Sequence, residues 1–229
     1  MPYAALATDY DGTVAHGGTV DPPTLAALSR LRASGWRLVL VTGRELDDVR
    51  RLMPGLPLFD RVVAENGAVL HAPASGAVRL LASPPPPGFA ARLLAAGVRP
   101  LQTGRVIVAT WQEHEARVLA VVHELGLDLC LLRNKGALMI LPRGVDKRSG
   151  TAAALADLGI APCRCVGVGD AENDLDLLAL CGLPVAVANA LPVVKQAAKL
   201  VTRGECGEGV AELAEYLLHE HPLPPVPEA

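Results

Sequence analysis

The sequence predicts an α/β protein in which a doubly wound parallel sheet carries a smaller, inserted α+β domain. Three observations support this fold class. Short, almost wholly apolar runs alternate with amphipathic stretches of helical length. Within residues 83–144 the order of helix-like and strand-like runs is different. A proline run, "SPPPPG" at 83–88, marks the start of that segment. Strands that are apolar throughout are typical of parallel sheets covered by helices on both faces. Their alternation with helices therefore indicates repeated strand–helix units.

The elements of the parallel sheet follow from these runs. The predicted strands are 4–8, 37–42, 61–65, 164–169 and 184–188. The predicted helices are 22–34, 44–53, 147–158, 173–181, 192–199 and 208–219. We expect residues 1–82 and 145–229 to form one core domain from these elements.

The inserted segment, 83–144, is predicted to form a cap domain with the element order α-β-β-α-β-β. Its proline run is excluded from a helix or a central strand and serves as a connector. The elements that follow are a helix at 88–96, two strand-like runs around Thr103–Gly104, a helix at 113–125 and a hairpin that turns at Asn134–Gly136. The proline-rich end, "HPLPPVPEA", is predicted to be loose.

Composition limits the classes of function. Of the 229 residues, 51% are hydrophobic and 20% are charged, which is enough apolar material for a packed core. The net charge of −3 has no basic stripe, so we expect no nucleic-acid partner. No uninterrupted apolar run reaches membrane-spanning length, and the start lacks the pattern of a signal peptide. We therefore expect a cytoplasmic protein with no membrane partner, of unknown oligomeric state.

The cysteines are predicted to be buried free thiols, as is usual in a cytoplasmic chain. They are Cys130, Cys163, Cys165, Cys181 and Cys206. The sequence "CRC" at 163–165 suggests a metal site, but a second Cys or His pair at zinc spacing is missing. The two cysteines flank the start of a predicted strand, and we favour that structural role.

Polar residues follow several of the predicted strands directly. The first strand ends in Asp9-Tyr10-Asp11, the second in Thr42-Gly43-Arg44, and the fourth in Asp170, with Asn173 and Asp174 just beyond. Lys147 lies where the chain would re-enter the core from the insert. Because ligands bind at the carboxyl ends of the strands in such sheets, we expect these side chains to meet at one edge.

Each of these signals has a simpler explanation when it is taken alone. "DYDGT" fits an Asp-Gly turn, Thr42 fits a helix N-cap, and the acidic run from Asp170 fits a helix start. Together they are harder to explain, because carboxylates at one edge repel each other unless a cation compensates. Oxygen-only ligands without histidine favour Mg²⁺ with a phosphate group.

Such a set of residues has a defined chemistry. A carboxylate can attack phosphorus as a nucleophile and form an aspartyl-phosphate. A second carboxylate two residues on can protonate the leaving alcohol and then activate water. Thr42 and Lys147 can hold the phosphoryl oxygens as charge moves.

The motifs "DYDGT", "VTGR", "DK" and "GDAEND", in that order, resemble the four motifs of the haloacid dehalogenase superfamily of phosphotransferases. The sequence "ENGA" at 65–68, the cap between the second and third motifs, and "VAVANALPVVKQAAKLVT" are similar to Cof-type phosphatases. The resemblance covers the core, whereas the cap agrees in position and element order only. Ala188 stands where the family usually has a glycine before the "NA" pair.

The resemblance implies roles for individual residues. Asp9 would be the nucleophile and Asp11 the acid/base. Mg²⁺ would be bound by Asp9, the backbone carbonyl of Asp11 and Asp170, with Asp174 at the metal or its waters. The phosphoryl group or the rest of the substrate would be bound by Thr42, Gly43, Lys147 and Asn173, and Asn189 also matches a motif position.

The resemblance implies a Mg²⁺-dependent phosphatase of a small phosphorylated metabolite, and the compact cap favours phosphoglycolate or a sugar phosphate. The cap residues Arg105, Arg133, Asn134 and Lys135 are candidates to contact an anionic substrate, although each also fits a solvated strand end or turn. Two other functions stay open. One is a phosphosugar mutase like the phosphomannomutases, and the other is a non-enzymatic phospho-acceptor module.

Overall fold

The computed structural model describes residues 3–220, which form two β-sheets with helices packed against them. The strands are β1 (Ala5–Asp9), β2 (Arg37–Val41), β3 (Arg61–Ala64), β4 (Val69–Ala72), β5 (Ala77–Leu80), β6 (Gln102–Thr103), β7 (Val108–Trp111), β8 (Leu129–Asn134), β9 (Ala137–Pro142), β10 (Cys165–Gly169), β11 (Leu183–Ala186) and β12 (Leu200–Val201). The larger sheet has eight strands in the order β12-β11-β10-β1-β2-β3-β4-β5. Its pairs from β12 to β3 are parallel, and β4 and β5 are antiparallel.

Helices cover both faces of the larger sheet. The helices are α1 (Pro22–Ala33), α2 (Leu46–Leu52), α3 (Phe89–Ala95), α4 (Glu115–Glu124), α5 (Lys147–Asp157), α6 (Leu175–Leu180), α7 (Pro192–Ala197) and α8 (Cys206–Glu220). Apolar residues of α1, α2, α7 and α8 join the core on one face, and those of α5 join the core on the other. Helix α6 contributes Leu178 to the first and Leu177 to the second. The predicted doubly wound α/β class is confirmed.

Helix α5 has the most clearly encoded start. The Asp146 side chain accepts the backbone N–H of Ser149 at 2.7 Å, and the Ser149 hydroxyl lies 3.1 Å from the Asp146 backbone N–H. This reciprocal capping box satisfies two backbone donors that the first turn would leave free. It fixes Lys147 as the first residue of the helix, next to the carboxyl ends of the parallel strands.

The prediction for the third strand was wrong at its last residue. The strand was expected at 61–65, but β3 ends at Ala64, because Glu65 and Asn66 have the left-handed φ values 52° and 54°. The chain turns there through "ENG" into the β4–β5 hairpin, which the sequence did not indicate. All four β5 residues are exposed, so that strand lacks the apolar run of a buried one.

The second sheet is antiparallel, with the order β6-β7-β9-β8. With α3 and α4 it has the predicted order α-β-β-α-β-β and a core of its own around Phe89, Val118 and Ile140. We call this unit the cap, and its limits at 83 and 144 stay a prediction. The β8–β9 hairpin turns at Lys135 and Gly136, whose φ values of 46° and 85° suit a two-residue turn.

The cysteine prediction was partly wrong. All five thiols are free, and Cys165, Cys181 and Cys206 are buried as expected. Cys130 is only half-buried and Cys163 is exposed, because Cys163 lies in the turn just before β10.

No helix within residues 3–220 has the length and apolarity that crossing a bilayer requires. The end predicted to be loose, 221–229, lies outside the described residues.

Candidate active site

Three buried carboxylates meet at the carboxyl ends of two adjacent strands. Asp9 is the last residue of β1, and Asp170 directly follows β10, which pairs with β1 in parallel. Asp174 lies in the tight turn after Asp170. One oxygen of each carboxylate lies within 4.8 Å of the others, and all three side chains are buried. The parallel register thus brings together residues far apart in sequence.

Lys147 joins two of these carboxylates. Its ammonium is hydrogen-bonded to Oδ1 of Asp9 and, at 2.6 Å, to Oδ1 of Asp174. The side chain is 1% exposed, so its partners replace the water it lost on burial. The second oxygen of Asp174 accepts the backbone N–H groups of Asp170 and Ala171 at 2.9 and 3.0 Å. Both Asp174 oxygens are therefore already bonded within the protein.

Asp170 is held by one core residue and one cap residue. Its Oδ1 accepts the Thr13 hydroxyl at 3.1 Å, and its Oδ2 accepts the Lys135 ammonium at 2.6 Å. Lys135 belongs to the β8–β9 turn, so the cap supplies a positive charge to the carboxylate cluster. Burial raises the pKa of Asp170, and the Lys135 ammonium opposes that shift.

The cluster holds more negative charge than its partners offset. Burial, reinforced by the charge of Asp174, raises the pKa of Asp9 to about 8 although Lys147 acts in the opposite direction. Burial alone would lower the pKa of Lys147, but the charges of Asp174 and Asp9 outweigh it and raise that pKa. Three carboxylates share two ammonium groups, so a further cation would stabilise their ionised forms.

Asp11 lies apart from this cluster and is bound by an arginine. Arg44 forms a bidentate ion pair with it, with Nε 2.6 Å from Oδ2 and Nη2 2.7 Å from Oδ1. The guanidinium also lies 5.4 Å from the centroid of the Tyr10 ring. The Asp11 side chain is 46% exposed. It is thus held at the mouth of the site while Asp9 is buried at the floor.

The other predicted residues fall into two groups. Gly43 and Asn173 line a cavity of about 300 Å³ together with Asp9 and Asp11. Thr42 is fully buried beneath it, and its hydroxyl accepts the backbone N–H of Arg44 at 3.1 Å. In this arrangement Thr42 orients the loop, and the loop faces the cavity.

The cavity lies between core and cap. Its remaining lining residues are Arg44, Glu45, Asp48, Gln102, Ile107, Ala109, Asn134, Ala137, Met139 and Ala171. The side-chain oxygens of Asn134 and Asn173 are buried and lack a hydrogen-bond partner among residues 3–220. They are available to a hydroxyl group of a bound molecule.

The structure separates the four cap candidates. Asn134 lines the cavity and Lys135 reaches Asp170, whereas Arg133 pairs with Glu115 of α4. Arg105 lies 3.3 Å from Asp47, on the outer side of α2. Side chains alternate along β8, so Arg133 and Asn134 face opposite sides of the cap sheet.

Sequence reasoning missed three residues of the site. Arg44 was quoted within "VTGR" but was given no role, although its place directly after a strand-end motif was a usable signal. Thr13 was assigned only to the turn after Asp11. Asn66, whose Oδ1 accepts the Asn173 amide at 3.2 Å, was part of "ENGA" without a structural reason.

Comparison with known proteins agrees with this geometry. The family profile described as haloacid dehalogenase-like hydrolase matches residues 6–80 and 112–213. A phosphoglycolate phosphatase of Natronomonas pharaonis is 31% identical over 220 residues, which are 91% of this chain and 95% of that protein. A phosphoglycolate phosphatase of Aeropyrum pernix is 29% identical over 230 residues, 93% of this chain and 92% of that protein.

A solved structure has the same fold over its whole length. It is a haloacid dehalogenase-like hydrolase of Bacteroides thetaiotaomicron, with a TM-score of 0.79 and 21% identity, covering 94% of this chain and 99% of that one. The resemblance inferred from the four motifs is confirmed by the profile match and by the relatives. This chain belongs to the haloacid dehalogenase-like hydrolases.

Proposed function

We propose that this protein is a Mg²⁺-dependent phosphatase that hydrolyses a small phosphorylated metabolite through an aspartyl-phosphate on Asp9. The observation that supports it most is the buried cluster of Asp9, Asp170 and Asp174 around Lys147, on the floor of a cavity between core and cap. Full-length relatives that are phosphatases support the same reaction class.

The residues of the cluster fit a magnesium ion. Asp9 and Asp170 offer carboxylate oxygens, the hard ligands that Mg²⁺ prefers, and the excess negative charge calls for a cation. The oxygens of Asp170 also have partners, but one of these is the half-exposed Lys135, which can move away. Asp174 is held by the buried Lys147 and two backbone amides, so it fits a supporting role better than that of a direct ligand. When bound, Mg²⁺ would offset the negative charge of the phosphoryl oxygens.

The residues then divide the two chemical steps. In the first step, an ionised Asp9 oxygen bonds to phosphorus, the bond to the leaving oxygen breaks, and Asp11, which must be protonated and released from Arg44 for this step, gives that oxygen its proton. In the second step, Asp11 takes a proton from water, the water oxygen bonds to phosphorus, and the bond to Asp9 breaks. Inorganic phosphate leaves. Arg44 holds Asp11 in place between these steps.

The leaving group would occupy the cavity. Lys135 does not line the cavity, but it directly follows the lining residue Asn134 and is half-exposed, so it suits a carboxylate such as that of phosphoglycolate. The Asn134 and Asn173 oxygens suit sugar hydroxyls. Phosphoglycolate is our first candidate because of the full-length relatives, and a sugar phosphate is the second. We find no observation that favours a phosphosugar mutase, since Arg105 and Arg133 are both paired with acidic side chains.

Substrate class should depend on Lys135. We expect wild-type protein to release inorganic phosphate from phosphoglycolate with Mg²⁺ but not with EDTA. Lys135→Met also removes a partner of Asp170, so both substrates are compared at saturating Mg²⁺. There the variant should lower kcat/KM for phosphoglycolate about tenfold or more, because a hydrogen bond to a charged group is lost, and should affect an aryl phosphate far less. Arg133→Met is the matched control, because it removes another cation of the same hairpin, one that pairs with Glu115 and does not line the cavity. Equal effects of the two variants would contradict the proposal that Lys135 contacts the substrate. In the same assays, isomerised sugar phosphate without phosphate release would favour a mutase.

Asp9 should lose a proton when Mg²⁺ binds. Its pKa of about 8 means that the metal-free protein carries this proton at neutral pH, whereas a carboxylate that binds a metal must be ionised. We expect release of about one proton per chain near pH 7 and little release near pH 10. Calorimetric titration with MgCl₂ in buffers of different ionisation enthalpy measures this number. Asp9→Asn has no such proton, so identical release by variant and wild type would contradict the prediction.

A further inference from the structure

The turn "ENG" at 65–67 links the cap to the catalytic core in a way that the proposed chemistry does not use. Glu65 is fully buried, yet within residues 3–220 it forms no ion pair. Its carboxylate instead accepts three successive backbone N–H groups of the β6–β7 loop. They are those of Arg105 at 2.9 Å, Val106 at 2.7 Å and Ile107 at 2.9 Å. Three converging amides form an anion-binding nest.

This contact spans the boundary between core and cap. Glu65 follows core strand β3, and the loop belongs to the cap. Val106 and Ile107 are 1% and 3% exposed and pack into the main core cluster rather than into the core of the cap. Ile107 also lines the cavity above Asp9. The loop therefore carries one wall of the leaving-group site, and the Glu65 carboxylate holds that loop.

The backbone conformation at Glu65 directs its side chain toward the 105–107 loop. Glu65 and Asn66 are in the left-handed region, which residues other than glycine seldom adopt without a reason. The Glu65 N–H donates to the Arg44 carbonyl and the Asn66 N–H donates to the Thr42 carbonyl, both at 2.9 Å. At Gly67 a Cβ would lie 1.9 Å from the carbonyl oxygen of Asp146, the residue before Lys147. The turn is thus fixed against the loop after β2 and the start of α5.

From these contacts we infer that Glu65 is a positioning residue that sets the cap over the catalytic carboxylates by holding the 105–107 loop. It does not contact the reacting atoms. Loss of Glu65 should lower kcat/KM for substrates whose leaving group contacts the cap. It should have little effect on substrates that contact only the core. This inference rests on the proposed phosphatase function for its kinetic test, but the exchange test below does not.

Gly104 offers a way to disturb the same contact from the cap side. A Cβ on Gly104 would lie 2.7 Å from the carboxyl carbon of Glu65 and 2.8 Å from Cγ2 of Ile107. Gly104→Ala therefore pushes the loop away from the carboxylate, and it leaves the charge and the residues of the "ENG" turn unchanged. Glu65→Gln removes the charge and places an amide donor against the nest. The only effect common to the two variants is a weaker contact between the Glu65 side chain and the 105–107 loop.

The first test is amide hydrogen exchange, which needs no enzymatic activity. Exchange of the Arg105, Val106 and Ile107 amides should speed up at least about tenfold in Glu65→Gln and in Gly104→Ala, because their acceptor is weakened or displaced. Asp47→Asn is the control, since it weakens the exposed pairs of Asp47 with Arg105 on the same loop and with Arg50 of α2, and leaves the Glu65 contact in place. Unchanged exchange at these three amides in both variants would overturn the inference.

The second test compares two substrates. Both variants should lower kcat/KM for the best cap-contacting substrate, phosphoglycolate in our proposal, about tenfold to hundredfold, mostly through KM. Aryl phosphate turnover by the core should change less than about threefold. An equal loss on both substrates would overturn the inference, because Glu65 would then act by supporting the turn beside Lys147. If Glu65→Gln does not fold, Gly104→Ala decides alone. If the wild type hydrolyses neither substrate, the proposed function fails and the exchange result still decides.

Discussion

Asp9→Asn should abolish turnover, with a loss of about 10⁴-fold or more. The amide keeps the size and one hydrogen-bond acceptor of the carboxylate but cannot attack phosphorus. Asp9 lies at the floor of the cavity and is bonded to Lys147, so no other carboxylate can take its place without moving. Asp11, which also lines the cavity, is held by Arg44. Phosphate release from an aryl phosphate with saturating Mg²⁺ measures the effect.

The same variant should not be less stable than the wild type near neutral pH. The folded pKa of Asp9, about 8, lies above the ordinary value of 3.8. The folded chain therefore binds a proton that the unfolded chain has released, and ionisation of Asp9 costs stability as pH rises between these values. Asparagine avoids that cost. We expect an inactive protein with an equal or higher melting temperature at pH 7.

Asp176→Asn is the control, because it makes the same chemical change on the exposed side of α6. It should leave turnover and melting temperature unchanged. Retained turnover in Asp9→Asn would rule out the covalent intermediate. A large drop in its melting temperature would show that Asp9 has a structural role instead.

The sequence was sufficient for the architecture wherever burial leaves a periodic pattern. Strands β1, β2 and β10 are buried between two helical layers, so their apolar runs were unambiguous. The β4–β5 hairpin was missed because β5 is exposed and has no apolar run to detect. The two-residue strand β12 is too short for any periodicity, and it was not predicted: the helix expected at 192–199 ends just before it.

The candidate site could be predicted as a set of residues but not as a set of contacts. Strand ends place Asp9 and Asp170 together because adjacent parallel strands end at the same edge. The pairing of Arg44 with Asp11, and of Lys135 with Asp170, depends on side-chain conformations and on the position of the cap relative to the core. Glu65 was read as the end of a strand, because a left-handed turn leaves little trace in composition.

Lys147→Met should cost both activity and stability. The variant keeps an unbranched side chain that is one atom shorter, but it removes the only ammonium bonded to both Asp9 and Asp174 among residues 3–220. Breaking a buried ion pair on one side typically costs about 3–5 kcal/mol, because the remaining charges stay buried without a partner. Loss of the group that holds the nucleophile and the phosphoryl oxygens should lower kcat by about 10²–10³-fold.

The loss of stability should depend on pH and on Mg²⁺ in a way that identifies its cause. As pH falls, the carboxylates of the variant take up protons and their repulsion disappears, so the difference from the wild type should be larger near pH 9 than near pH 5. Mg²⁺ supplies positive charge to the same cluster and should restore part of the stability of the variant. Urea unfolding at both pH values, with and without MgCl₂, measures both effects. Lys199→Met removes an exposed lysine and should show neither. A loss that is equal at both pH values and indifferent to Mg²⁺ would mean that Lys147 acts through packing, and that the cluster does not need a cation to fold.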